Sequence, residues 1–109
     1  MTRIKIVTFV PIDHADAVRD AMGSAGAGVI GKYRYCSFSV TGTGRYIPSK
    51  DASPYIGQAN QLEATPEERI EVVCEHHDAK EIIRALRASH PYEEVALDIY
   101  ELVYESEIG

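Results

Sequence analysis

The feature that most constrains this chain is a repeat inside it. Arg3-Ile4-Lys5-Ile6-Val7 returns as Arg69-Ile70-Glu71-Val72-Val73, with matching side-chain order and apolar spacing. Each run is followed by an apolar stripe at helical spacing. In the first half the stripe is Val18, Ala21 and Met22; in the second it is Ile82, Ala85 and Leu86, at a slightly shorter offset. Each half then enters another extended run, so each reads strand, helix, strand. Two such units in series give β-α-β-β-α-β, the split βαβ arrangement.

The expected fold class is therefore α+β. It is a ferredoxin-like sandwich, an antiparallel four-stranded sheet with two helices on one face. With 109 residues the chain is expected to form one domain, 1–109.

Turn and cap signals set the expected boundaries. Residues 3–10 alternate and then become mostly apolar, as in a central strand, and Pro11 ends them. Asp13 is the expected N-cap of the first helix, with Asp16 in its acidic first turn. Gly26-Ala27-Gly28 reads as the turn out. Residues 33–40 alternate again, with Cys36, Phe38 and Val40 on one face and Tyr35, Ser37 and Ser39 on the other.

Residues 41–66 break the pattern. They hold three of the five prolines and turn-type stretches such as Gly42-Thr43-Gly44. They read as a long excursion with a short extended piece at 44–47. A loop of this length usually serves assembly or binding. Residues 69–74 form the next strand. Ala79, Ile82, Ile83 and Leu86 mark the second helix, with His90 next on its stripe. Pro91 biases His90 out of the helical region and ends that helix. Residues 95–104 are the last strand, and 105–109 are expected to fray.

The second and third strands should be antiparallel neighbours. Placing Cys36 opposite Cys74 puts Phe38 opposite Val72 and Val40 opposite Ile70. Every apolar residue then faces the helices, and a slip of one residue would undo the match. The apolar or amphipathic Tyr100, Leu102 and Tyr104, opposite Val95, Leu97 and Ile99, point to a second sheet face that other subunits cover.

Charge narrows the partners. Asp and Glu number 17 against 11 Lys and Arg, for a net charge of −6. Such a surface repels phosphate backbones and shows no basic patch, so no nucleic-acid partner is expected. No apolar run has spanning length and no charged-then-apolar leader is present. No membrane partner is expected, and the expected location is cytoplasmic. Cys36 and Cys74 match neither a metal-ligand pair nor a secreted disulfide framework, and are expected to be reduced thiols.

His90-Pro91-Tyr92-Glu93, closing the second helix, resembles the His-Pro-Tyr-Glu segment of CutA proteins. A fuller resemblance is to the CutA/PII-like domain inserted in many bacterial proteins of the dinuclear-metal, hexameric YqfO family, also called NGG-interacting-factor-three-like. The similar stretches are Gly26-Ala27-Gly28-Val29-Ile30-Gly31, Tyr35-Cys36-Ser37-Phe38-Ser39, Gly42-Thr43-Gly44, Pro54-Tyr55-Ile56-Gly57 and residues 90–102. They cover nearly the whole chain, which looks like a stand-alone version of that insert. The resemblance implies a CutA/PII-like fold and self-assembly, a homotrimer first and a dimer as the alternative. The family's metal site lies in the flanking main domain, so its hydrolase-like chemistry carries over to no residue here.

His90, Tyr92, Glu93 and Glu94 are the candidate ligand-binding residues. A neutral imidazole and carboxylate oxygens suit a divalent cation or a polar ligand. The alternative is architectural: His90 closes its helix, and Glu93 and Glu94 pair with arginines or face solvent. Neighbours in a strand point to opposite faces, so at most one of the two carboxylates shares a pocket with His90. Tyr92 is expected to fold back, with its hydroxyl at a polar boundary. His76 and His77 read as solvated helix-start residues. Gly42-Thr43-Gly44 lacks the lysine and helix of a phosphate loop. No serine or cysteine sits in a recognisable nucleophile frame, so no catalytic residue is assigned.

Two functions follow. One is a small oligomeric binding or regulatory module, without a resident cofactor, that takes a small ligand, cation or protein partner at subunit clefts. The other is a divalent-metal-binding protein or metal-dependent enzyme using His90 and a nearby carboxylate.

Overall fold

Alternation in the two repeated strands builds the core. A computed structural model describes residues 2–109. Its elements are β1 (Arg3–Pro11), α1 (Ile12–Ser24), β2 (Phe38–Tyr46), β3 (Glu63–Glu75), α2 (Ala79–Ser89) and β4 (Leu97–Leu102). The sheet order is β2-β3-β1-β4, and each neighbouring pair is antiparallel. This is the expected ferredoxin-like α+β fold.

Ile4 lies opposite Cys74, Ile6 opposite Val72 and Thr8 opposite Ile70. The apolar members of these pairs meet Val18 and Met22 of α1 and Ile82 and Leu86 of α2 in one buried cluster, while Thr8 Oγ1 donates to Ala96 O at 3.0 Å. Burying a side chain such as Ile82 or Leu86 contributes about 1.5–3 kcal/mol. The stripe expected on α2 is thus its core face. No helix among the described residues is long and apolar enough to cross a membrane.

Several boundaries differ from expectation. Pro11, at φ −58° and ψ 145°, is the N-cap of α1, and Asp13 falls inside the first turn. Asp13 therefore acts through its charge near the helix dipole rather than as a cap. Gly26, at φ +110°, turns the chain out as expected. Residues 33–36 are not strand. Ile30 and Tyr33 exchange hydrogen bonds of 3.0 and 2.9 Å across a tight turn, and Cys36 N–H donates to Gly28 O at 2.9 Å. β4 spans only Leu97–Leu102, and the expected frayed end holds a short 3-10 turn, Glu105–Glu107.

The β2 register is slipped by one residue from the expected one. Phe38 faces Glu71, Ser39 faces Ile70 and Val40 faces Arg69. The cause is at the helix side of this edge strand. Arg19 of α1 reaches over, donating to Ser39 Oγ at 3.1 Å and pairing with Glu68. That corner is polar, so Phe38 and Val40 go to the open face instead. Cys36 goes with them, lining an open-face depression beside Lys5 and Glu71, while Cys74 sits in the helix-side core. The two thiols are therefore not neighbours on the helix side, and both are free.

The expected excursion at 41–66 is sheet at both ends. β2 continues to Tyr46 and β3 begins at Glu63, so only residues 47–62 form the connection. Gly42 and Gly44 lie inside β2, not in a turn. Pro66 is accommodated because β1 ends opposite Glu67, which leaves one side of Pro66 without a strand. Residues 63–66 pair with β2 alone and carry the hairpin beyond the sheet, in a molecule measuring 50 × 26 × 23 Å.

Candidate functional site

His90 closes α2. Its N–H donates to Leu86 O at 3.0 Å, and its backbone is extended at φ −84° and ψ 135°. The ring is buried, and both nitrogens are engaged. Nε2–H donates to Phe9 O at 2.7 Å, and Nδ1 accepts from Tyr92 N–H at 3.1 Å. This pairing fits the neutral imidazole with its proton on Nε2. Burial holds its pKa below the usual value, against the opposing pull of the Phe9 carbonyl.

Pro91 then throws the chain outward, and Tyr92 folds back as expected. Its hydroxyl donates to Glu67 Oε2 at 2.7 Å. Burial first, and then the bond to Glu67, push its phenol pKa well up. The rings of Tyr46 and Tyr55 lie 6.0 and 6.3 Å from Tyr92, edge-on and tilted. The carboxylate that joins this cluster is thus Glu67. Glu93 turns away to accept from Ser53 N–H at 2.8 Å, tying the 47–62 connection to the chain after α2. Glu94 is exposed at the rim.

Together these parts frame an open cleft of about 790 Å³. Its floor includes Gly42, Gly44 and Glu67 of the hairpin. Its walls include Phe9, Tyr46, Tyr55 and Tyr92. The connection is held over the cleft by Tyr46 Oη, which donates to Ile56 O at 2.7 Å, and by the Tyr55 ring packed edge-on against His14 at 5.3 Å. Tyr92, Glu93 and Glu94 line the cleft, while His90 stands behind Tyr92 and supports it. The described residues hold no group of three or more His, Cys, Asp or Glu side chains placed to bind a metal ion.

Sequence reasoning missed Glu67, Tyr46 and Gly44, because Gly44 and Tyr46 read as a short extended piece inside an excursion and Glu67 fell between that excursion and the next strand. The available signal was the Thr41-Gly42-Thr43-Gly44 alternation. It is a strand pattern with glycine at every second position, which marks close approach of another group.

No protein-family model matches the chain. It is 45% identical over 103 residues to a GTP cyclohydrolase 1 type 2 homolog of Halalkalibacterium halodurans, covering 94% of this chain and 28% of that protein. A similar relative in Mycobacterium tuberculosis is 48% identical over 99 residues, covering 91% of this chain and 26% of that protein. The chain therefore spans roughly a quarter of the length of the curated relatives it matches. Among solved structures, a Bacillus cereus protein related to NIF3 superposes with a TM-score of 0.83 at 43% identity, over 94% of this chain and 26% of that one. CutA1 of Shewanella sp. SIB1 shares the fold at a TM-score of 0.69 and 16% identity, over 97% and 88% of the two chains. The GlnK–ATP complex of B. subtilis does so at 0.64 and 9%, over 93% and 82%. The chain has the CutA/PII-like fold, and its sequence is homologous to one segment of the GTP cyclohydrolase 1 type 2 homologs and of the NIF3-related protein.

Proposed function

We propose that the chain is a small binding or regulatory module that self-associates, as a homotrimer, and takes a small ligand in the cleft under the 47–62 connection. The observation that carries this reading is the cleft itself. It is about 790 Å³, a size suited to small ligands. It is walled by tyrosines, and one of them is bonded to a buried carboxylate.

Self-association is supported by the open sheet face. Phe38 is 65% and Val40 50% exposed there, beside the half-exposed Tyr100. Edge strands β2 and β4 also leave backbone groups unpaired. Light scattering at micromolar concentration is expected to give three times the chain mass. Phe38→Ser with Val40→Thr is expected to shift it to the monomer without loss of helix signal. A wild-type monomer would overturn the assembly.

A divalent-metal role for His90 and a carboxylate is the second reading. One fold neighbour, from Archaeoglobus fulgidus, is titled a divalent cation tolerance protein. A metal at His90 would have to break one of its two hydrogen bonds. Stoichiometric zinc or copper retained after tag-free purification, and lost in His90→Ala, would favour this reading.

A further inference from the structure

Three acidic residues sit close together on β3, and Glu67 stands apart from the other two. Glu68 pairs with Arg19, and Glu71 pairs with Lys5 and Arg69. Lys5 in particular holds the Glu71 carboxyl below its ordinary pKa. Glu67 is only 7% exposed, yet no cation lies within salt-bridge range of it among the described residues. Its one hydrogen-bond donor is the neutral Tyr92 phenol, at 2.7 Å on Oε2. A carboxylate this far from water is normally paired with a cation.

Its second oxygen has no hydrogen-bond partner among the described residues. Oε1 lies over Gly44, where an added Cβ would come within 1.9 Å of it. The carboxylate lines the cleft with apolar and aromatic side chains, including Phe9, Tyr46 and Ile56, and with Arg45 and Arg69. Two residues along the same face, Thr65 Oγ1 is buried without a partner. The nearby Arg69 does not supply the missing charge, because it donates to Glu71 at 3.2 Å and lies 5.7 Å over the Phe9 ring.

Building on the reading of the cleft as a ligand site, we propose that its ligand carries a protonated amine or amidine on an apolar or aromatic body. Glu67 is the counter-ion, and Gly44 keeps that carboxylate within reach. The tyrosine rings add favourable faces for the same positive charge.

The probe is benzamidine, with neutral benzamide and anionic benzoate as partners of the same shape. Amide NMR of the full chain reads where each binds. Benzamidine is expected to shift the Gly42, Gly44 and Glu67 amides saturably, about tenfold more tightly than benzamide, as a charge-assisted hydrogen bond requires. Glu67→Gln should abolish that preference while the rest of the spectrum stays folded. Glu101→Gln, which removes an exposed carboxylate outside the cleft lining, should keep it. Equal binding of benzamidine and benzamide, or an unchanged preference in Glu67→Gln, overturns the charge assignment but leaves the cleft as a ligand site. No saturable shift at the cleft from any of the three probes overturns both. If benzamidine leaves the cleft untouched and Glu67→Gln changes the oligomeric mass, the cation belongs to a neighbouring copy and the small-ligand proposal falls.

Discussion

Replacing His90 by alanine removes a side chain that holds two backbone groups at once. The Phe9 carbonyl loses its donor at 2.7 Å, and the Tyr92 N–H loses its acceptor at 3.1 Å. The ring is 7% exposed, so water does not easily replace it. Each unmet buried group costs about 1–3 kcal/mol, and the void adds to this. The expected loss is about 3–5 kcal/mol, a large share of a domain stability of about 5–15 kcal/mol. Glutamine keeps a donor and an acceptor, so His90→Gln should lose about half as much. Urea unfolding followed by circular dichroism, at fixed protein concentration, measures both. The pH dependence gives an independent sign. Burial lowers the folded-state pKa of His90. The unfolded imidazole titrates near about 6.5, so as the pH falls the unfolded chain takes the proton first. The advantage of wild type over His90→Gln is therefore full above that pH and shrinks as the pH drops through the lower folded value. A cost below about 1 kcal/mol for His90→Ala, or an advantage that grows on acidification, would refute the reasoning.

Two further outcomes test the packing. Burial pushes the Cys74 thiol up to about 11, with Asp78 and Glu75 adding to the shift, whereas Cys36 is only half-buried. A thiol reagent should therefore titrate one cysteine in the native protein and the second only after unfolding; two equally fast thiols would place Cys74 wrongly. Gly44→Ala drives a Cβ against Glu67 Oε1 and should cost about 1–3 kcal/mol, and the same change should cost less in a Glu67→Ala background. Additive costs in that cycle would mean that the two residues do not touch.

The fold was legible because it rests on periodicity. β1 and β3 each place every second residue in the core, and α2 places Ala79, Ile82 and Leu86 there, so the repeat in the sequence mirrors the repeat in the packing. The β2 register was not legible for a related reason. Matching apolar residues to the helix face assumes that the helices reach the whole sheet. At the β2 edge the helix side holds Arg19, Ser39 and Glu68, and the apolar Phe38 and Val40 lie exposed on the other face. Side-chain period fixes which residues share a face, but not which face has a partner.

The site was half legible for a different reason. His90 and Tyr92 announce themselves through Pro91, whose local geometry ends a helix wherever it falls. Glu67 gives no such signal, since it is one acidic residue in the run Glu67-Glu68-Arg69. It is separated from its neighbours in role only by long-range facts: where β1 stops, which strand face it occupies, and the missing side chain at Gly44. Glu68 and Glu71 meet cations brought by α1 and β1, and Glu67 meets a phenol brought by the chain after α2. The same side chain is thus in a structural ion pair at two positions and, at a third, buried and bonded to a phenol. That difference belongs to the fold: which partner each carboxylate meets is set by the element packed against its stretch of β3, and the run of acidic residues does not carry it.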